Sequence, residues 1–430
     1  MKRGTIINNQ DLSQIQAINE KVSAYLTMQN SAGKRIAVWG AGRKGIEFLT
    51  KFDKDCHYID FVFDKDENKY GKKLPTGHRV VDYRENEADI VILSSGAFYW
   101  ETRRTLNLLP WKSQLINLDD VIYGPLSFEE LDRGVDLQKV RSSVIAAVVI
   151  LYHPDVKTVE NILSYANAVD KLYLYDNSET SNERLFAPLS NVASCKYLFA
   201  GGINRGIGAA INEAAEIALK ESIDWLFTFD QDSRADAEMV PKMRKYIESI
   251  DYRDCVGIVA PRIVSPIDTR PDDSYIQEEP YIMYVSTVIQ SGALHNLSAF
   301  KKVGGYDERL FIDYVDFDYC VRCRLAGFVI AKIPGAAIYH QEDSPFEVQE
   351  INGSKRFMGK YSPQRYYYQC RNMLYCKERY REIAPDFSAQ CERGLGILYK
   401  QLESDRNYEE NVVAVRKAEN DYRELLTDYL

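Results

Sequence analysis

The sequence holds no apolar run long enough to cross a bilayer: the longest, Val144–Tyr152, falls far short of the ~20 residues a spanning helix needs. The start, Met1–Leu12, is polar and has no apolar stretch of the kind a secretory signal carries, which points to a cytoplasmic protein. Histidine is scarce, at 5 residues, and the 8 cysteines are scattered. Only Cys320 and Cys323 form a CxxC, with no second pair at zinc-ligand spacing, so neither a zinc module nor a disulfide scaffold is indicated. Positive charge is in deficit too. With 54 Lys and Arg against 63 Asp and Glu, the net charge is -9, which excludes a general nucleic-acid binder.

What is present is ordinary globular composition, 45% hydrophobic and 27% charged over 430 residues, enough for two or three domains with cores of their own. Residues 1–30 read as a leading helix with apolar positions at helical spacing over Leu12–Met28. Residues 31–125 read as a small Rossmann-like domain with strands Arg35–Trp39, Tyr58–Phe63, Asp89–Leu93 and Leu115–Leu118. A charged linker helix is expected over 126–142, within Ser127–Arg141. A second parallel layer, 143–345, has strands Val144–Leu151, Lys171–Tyr175, Cys195–Phe199 and Trp225–Phe229 with helices between them. After Gly335–Tyr339 no strand is expected, and 346–430 reads as helical. The fold class is therefore α/β, two parallel-sheet domains with a helical C-terminal region, and ligands are expected at the strands' carboxyl ends.

In the first domain the segment Gly40-Ala41-Gly42-Arg43-Lys44-Gly45 lies between a strand and a helix. Glycines at such a turn let the backbone approach a phosphate, and Asp64 stands about where a ribose-binding acid belongs. The alternatives are a nucleotide site at Gly40, Gly42, Gly45 and Asp64, or a scaffold that has the shape without the ligand. The phrase Phe63–Gly71 looks like the small Rossmann-like units at the front of some sugar-modifying transferases. A dinucleotide-dependent oxidoreductase is a rival reading of this motif. The unit is short for it and offers no acid or base for hydride transfer.

In the second domain the apolar strand Trp225–Phe229 runs into Asp230-Gln231-Asp232. Carboxylates at i and i+2 can hold a hard divalent cation, Mg²⁺ or Mn²⁺. The pattern itself is cheap, since Asp53/Asp55, Asp64/Asp66 and Asp316/Asp318 repeat it; its place at a buried strand's end distinguishes the 230–232 copy. Asp176 and Asn177 end another strand, and Asn204, Gly206 and Gly208 open a helix on the same expected edge. These five are candidate donor contacts, the glycines allowing close approach to a sugar nucleotide.

Further on come Gln290-Ser291-Gly292-Ala293-Leu294, then Gly304-Gly305-Tyr306-Asp307-Glu308, then Asp313-Tyr314-Val315-Asp316-Phe317-Asp318 and Arg322. From about Ser143 to Arg371 these ordered motifs resemble the family 2 glycosyltransferases of GT-A fold, in particular the bacterial rhamnosyltransferase branch. The resemblance implies a metal-bound DxD at Asp230 and Asp232 and a base in the acidic segment, where the usual Glu-Asp is Val315-Asp316. Asp316 is the first choice as base, Asp313 the second; Asp318, facing its own helix and within reach of Arg322, is the third. The resemblance also puts His340 near the metal or the diphosphate, against the plain reading of a strand-end histidine.

Lys355–Glu382 carries eight basic residues against two acids, with six tyrosines, so its charge is +6 and that of the remainder -15. Its run Ser362–Asn372 resembles a segment of the same branch. Arg365 and Arg371 are candidates for a diphosphate, of the donor or of a lipid-linked oligosaccharide acceptor at the inner membrane surface. The competing reading is a helix whose tyrosines pack on the catalytic domain. The apolar positions of Tyr408–Leu430 suit packing or a homodimer contact. The implied activity is an inverting glycosyltransferase that moves a sugar, L-rhamnose from dTDP-β-L-rhamnose by resemblance, to a saccharide hydroxyl in surface-polysaccharide synthesis. A UDP-hexose donor is the alternative.

Overall fold

The computed structural model describes residues 9–94, 102, 105–106, 108–118, 142–192, 194–250, 253–264, 282–340, 346–351, 354–359, 361–403, 405 and 407–427. The linker helix expected over 126–142 lies outside them but for residue 142. The chain forms two compact units, one from Asn9–Val135 and the other from the rest apart from Met283–Val285.

The first unit opens with helix α1 (Asn9–Ser31), followed by β1 (Ile36–Trp39), α2 (Arg43–Phe52), β2 (Phe61–Phe63), β3 (Val80–Val81), β4 (Ile90–Leu93) and β5 (Gln114–Asn117). The strands form a parallel sheet in the order β3-β2-β1-β4-β5. Strands β1 and β4 are buried along their whole length, as central parallel strands covered on both faces must be. Strand β3 has only two residues and no apolar run, which is why composition alone does not announce it.

The second unit is built on β6 (Ile145–Leu151), β7 (Lys171–Asp176), β8 (Cys195–Phe199), β9 (Trp225–Asp230), β10 (Ser233–Ala235), β11 (Val256–Val264), β13 (Ala293–Asn296) and β14 (Val329–His340); the two-residue β12 (Met283–Tyr284) falls in the segment left out of it. The sheet runs β10-β14-β11-β13-β9-β6-β7-β8. It is mixed where a parallel layer was expected: β13 lies antiparallel between β9 and β11, and β10 is antiparallel to β14. Strand β13 reads Ala-Leu-His-Asn, too short and polar to stand out as a strand, yet all four residues are buried. Helices α3 (Val156–Leu163), α4 (Gly206–Lys220), α5 (Met239–Ser249), α6 (Leu297–Val303) and α7 (Val315–Leu325) connect the strands. Helix α3 starts with a capping box, Asp155 accepting from Thr158 N and the Thr158 side chain returning a bond to the Asp155 backbone.

Strands do not stop at Tyr339. β14 continues to His340, and an antiparallel hairpin, β15 (Phe346–Ile351) and β16 (Ser354–Gly359), precedes the helices. The helical region consists of α8 (Pro363–Arg379), α9 (Pro385–Glu403) and α10 (Tyr408–Thr427). Ser362 caps α8 by accepting from Arg365 N, and Pro363 occupies the first turn, where its missing N–H costs nothing. The three helices share a core that includes Tyr366, Cys370, Met373, Leu395, Leu398 and Val415. All eight cysteines are free, and Cys320 and Cys323 are buried.

Candidate functional site

Strand β9 delivers Asp230 to the carboxyl edge of the sheet because the five residues before it are buried between helical layers. Gln231 then fixes the turn: its Oε1 accepts from Tyr152 N at 2.8 Å and its Nε2 donates to Tyr152 O at 3.0 Å. The short β10 pairs with the end of β14 in the register Ser233↔His340, which carries His340 back to the DxD from more than a hundred residues away. Ligand atoms of Asp230, Asp232 and His340 lie within 4.8 Å of one another. His340 Nδ1 is 3.4 Å from Asp232 Oδ1 and shares a 2.8 Å hydrogen bond with Ser233 Oγ. Ser233 Oγ meets Ser291 Oγ at 2.7 Å, and Ser291 Oγ accepts from Asp230 N at 3.1 Å. Burial raises the Asp230 carboxyl to about 6; the His340 cation opposes that rise and Asp232 adds to it. Two carboxylates and an imidazole so placed suit a hard-to-borderline cation such as Mn²⁺, with carboxylates alone favouring Mg²⁺.

Gln290 joins this cluster to the acidic segment. Its Nε2 donates to Asp230 Oδ1, and its main-chain N donates to Asp316 Oδ2 at 3.2 Å. Asp316 is the second residue of α7 and also accepts from Phe317 N at 2.8 Å. Burial raises its carboxyl to about 7; the two N–H groups pull it down, while Asp313 and Asp230 push it further up. Asp313 is held by Arg365 Nη2 at 3.2 Å, and burial raises its carboxyl as well. Asp318 is engaged internally. It is fully buried and accepts from Arg322 Nε at 2.7 Å, Arg379 Nη1 at 3.2 Å and Tyr380 OH at 2.6 Å.

The chain between the glycine turn and α7 is strained. Phe311, Asp313 and Tyr314 have φ of 64°, 60° and 63°, and none is glycine. Each such residue costs about 1–3 kcal/mol unless its surroundings hold it. Gly206 supports the segment from below. Its φ is +82°, Ile207 N donates to Phe311 O at 2.9 Å, and a Cβ on Gly206 would stand 2.7 Å from that oxygen. At Gly208 a Cβ would meet Tyr306 and Val315 side chains at 3.3 and 3.4 Å. Both glycines are approached closely by the 306–315 chain.

The other expected donor contacts are also engaged internally. Asp176 is fully buried, and its oxygens accept from Ser178 N, Asn182 N, Asn182 Nδ2 and Tyr197 OH. Asn177 donates to Gly206 O at 3.2 Å and accepts from Arg205 N, and Asn204 Oδ1 accepts from Gly206 N at 2.9 Å. Together they shape the loop edge. Arg371, expected at a diphosphate, is buried and donates to Arg309 O at 2.7 Å and to Leu310 O at 3.2 Å. Within α8 the packing reading of the basic segment prevails. Tyr366, Tyr375 and Tyr380 are fully buried, Arg379 pairs with Asp307 and Asp318, and Lys377 pairs with Glu392. Sequence reasoning assigned no role to Gln290, Ser233, Ser291 or Asn372. The first three sit beside acids already singled out, and Asn372 directly follows Arg371.

In the first unit, Gly40 has φ +110°, and a Cβ there would lie 2.7 Å from Ser94 Oγ; one on Gly45 would lie 1.8 Å from Gly40 O, while Gly42 has open space. Asp64 accepts from Ala41 N in that loop at 2.8 Å, from Asp66 N at 2.9 Å and from Lys69 Nζ at 2.9 Å. Burial would raise this carboxyl, but these three partners together hold it below the usual range. Two of the glycines thus serve helix–strand packing, and Asp64 closes the turn.

The family model described as a C-methyltransferase C-terminal domain matches residues 10–112, within the first unit. A curated protein of Shigella flexneri named dTDP-rhamnosyl transferase RfbF is 28% identical over 240 residues, covering 54% of this chain and 79% of that one. Among solved structures, S. aureus TarS matches with a TM-score of 0.40 at 13% identity, covering 61% of this chain and 44% of TarS. GalNAc-T7, solved with UDP, GalNAc and Mn²⁺, matches with a TM-score of 0.38 at 11% identity, covering 60% of this chain and 55% of its own. The chain thus spans about half the length of either solved protein.

Proposed function

We propose that this protein is a metal-dependent inverting glycosyltransferase that moves L-rhamnose from dTDP-β-L-rhamnose to a saccharide hydroxyl, in the cytoplasm, in surface-polysaccharide synthesis. Homology to a protein named as a rhamnosyl transferase supports a transferase enzyme. The observation that carries the reading is the continuous link from Asp232, His340 and Asp230 through Gln290 to Asp316. It links three side chains that could hold a cation to the Asp316 carboxyl at the start of α7, which supports the reading.

In this reading Asp230, Asp232 and His340 hold Mn²⁺ or Mg²⁺, which supplies positive charge for the departing diphosphate. Asp316, with its carboxyl raised to about 7, is poised to take the proton of the acceptor hydroxyl near neutral pH. Asp313, tied to Arg365, flanks it as a contact for the acceptor or donor sugar. Asp176, Asn177, Asn204, Gly206 and Gly208 shape the donor edge rather than reading the donor by free side-chain atoms. The internal pairing along α8 takes away the support for a phosphate-binding or membrane-binding face there, so a lipid-linked acceptor rests on chemistry alone. The first unit serves as an accessory module, and Gly40, Gly42, Gly45 and Asp64 are assigned no catalytic step.

The test is donor hydrolysis and transfer across dTDP-, UDP- and GDP-sugars with Mn²⁺, Mg²⁺ or EDTA. Turnover of dTDP-rhamnose that EDTA stops is the expected result. Turnover of a UDP-hexose in its place would replace the donor, and no metal-dependent turnover of any sugar nucleotide would overturn the reading.

A further inference from the structure

In the strained segment Leu310–Tyr314, beside the bonds of Arg365 to the Asp313 carboxylate and of Arg371 to Leu310 O, one side chain of the helical region gathers three main-chain carbonyls. Asn372 on α8 is fully buried, and its Nδ2 lies 2.8 Å from each of three carbonyl oxygens, those of Leu310, Ile312 and Asp313. The amide is oriented from behind. Arg371 Nε and Nη2 donate to Asn372 Oδ1 at 3.0 and 2.9 Å, so the amide nitrogen must face the loop. Arg371 also holds Arg309 O and Leu310 O, and its guanidinium stacks over Tyr368 at 4.8 Å, whose ring stacks in turn on Phe311 at 4.9 Å. Three inward carbonyls and three non-glycine residues of positive φ occur in the same short stretch: Tyr314 is left-handed, and Phe311, with ψ of -63°, is the middle of a tight turn in which Ile312 N donates to Leu310 O at 2.8 Å. Such a shape does not persist by local preference, because L side chains disfavour it.

Directly after this stretch come Val315 and Asp316. Tyr314, in left-handed conformation, is the N-cap of α7, so the direction of that helix's first turn, and with it the Asp316 carboxyl, is inherited from the clamped segment. The cation ligands stand elsewhere, at the end of β9, in the turn before β10 and at the end of β14, and none is bonded to Asn372. The clamp and the metal cluster are therefore separable.

We propose that Asn372 is a positioning residue for the transfer reaction, acting through the 310–314 segment to aim Asp316 and Asp313 at the acceptor, so that helix α8 completes the active site. The inference rests on the glycosyltransferase reading and names a part of that site which the acidic motif does not contain. Displacing a reacting group by about 1 Å costs on the order of 10²-fold in rate, which sets the expected size.

The experiment compares wild type, Asn372→Ala, Asn372→Ser and Arg371→Lys in the full chain. The readouts are Mn²⁺ binding by calorimetry, cooperative unfolding, kcat and KM for donor and acceptor, and the pH profile of kcat/KM. Asn372→Ala is expected to lose about 100-fold in kcat with Mn²⁺ affinity and donor KM held within about twofold, and to shift the acidic limb of the profile. Asn372→Ser, whose hydroxyl retains one donor, should recover part of the rate, and Arg371→Lys should fall between it and wild type. Transfer by Asn372→Ala within about threefold of wild type would overturn the proposal. So would a loss of rate matched by equal losses of Mn²⁺ binding and of cooperative unfolding in every variant, which would mean a plain fold defect. If Asn372→Ala does not fold, Asn372→Ser and Arg371→Lys decide by the same criteria. A wild type that turns over no sugar nucleotide would instead bring down the glycosyltransferase reading, and this inference with it.

Discussion

Replacing Asp316 with asparagine removes a carboxyl but changes its shape very little, and the structure fixes what should follow on two axes. On rate, a positioned general base contributes about 10²–10⁴-fold, so Asp316→Asn should lower kcat by that factor, with dTDP-rhamnose KM and Mn²⁺ affinity nearly unchanged. On stability, the carboxyl stands at about 7 in the fold against 3.8 as its ordinary value, chiefly through burial. A group whose folded value is raised binds more protons in the native state than in the unfolded one. Wild-type stability therefore falls as pH rises from about 4 to about 7 and stays at the lower level above that. At about 1.4 kcal/mol per unit the full shift corresponds to about 4 kcal/mol, and partial exposure of the residue reduces this to about 2–4. Asparagine has no such penalty, although its amide nitrogen faces one of the two N–H groups, of Gln290 and Phe317, that the carboxylate accepts, and loses about 1 kcal/mol there. In EDTA, the stability of Asp316→Asn relative to wild type should therefore improve by about 2–4 kcal/mol between pH 4 and pH 8, measured by urea unfolding of both proteins. A pH-independent difference would refute the electrostatic argument. Retained transfer would remove Asp316 as the base and leave Asp313→Asn as the next variant to assay.

Other expectations follow from the same geometry. The Asp230 carboxyl at about 6 means that protons compete with the cation, so Mn²⁺ affinity should weaken by up to tenfold per unit below about pH 6, and Asp230→Asn should abolish binding by calorimetry. Gly206→Ala places a Cβ 2.7 Å from Phe311 O at a φ of +82°, and urea unfolding should show a loss of about 2–4 kcal/mol. Asp318→Ala strips a fully buried acid from Arg322, Arg379 and Tyr380; leaving Arg322 without its carboxylate and Arg379 with Asp307 alone should cost about 3–5 kcal/mol, again by urea unfolding, and unchanged stability would show that the pairs contribute nothing.

How much of this was legible beforehand follows from the range over which each residue acts. The buried runs at β6, β7 and β9 declare themselves because central strands covered on both faces must be apolar throughout, and Asp230 is legible as the polar residue that ends such a run. The antiparallel β13 is hidden because Ala293–Asn296 takes its strand identity from Phe227 and Val259 across the sheet, not from its own composition. The glycines at 206 and 208 announce a close approach, but sequence names only the demand for space and not the neighbour that fills it. Here the neighbours are Phe311 for Gly206 and Tyr306 and Val315 for Gly208, each about a hundred residues further on. The same limit explains the arginines of α8. A basic, tyrosine-rich segment looks like an anion-binding face when its charges are counted locally, and becomes a structural helix once Asp307, Asp313 and Asp318 are brought against it. Asn372 is the extreme case. An uncharged amide in a helix carries no chemical signal of its own, and it gains a role only because the fold presents it with three carbonyls turned inward along a stretch of positive-φ residues. Acids at strand ends mark where chemistry can occur; the side chains that aim them are legible only from the contacts that folding creates.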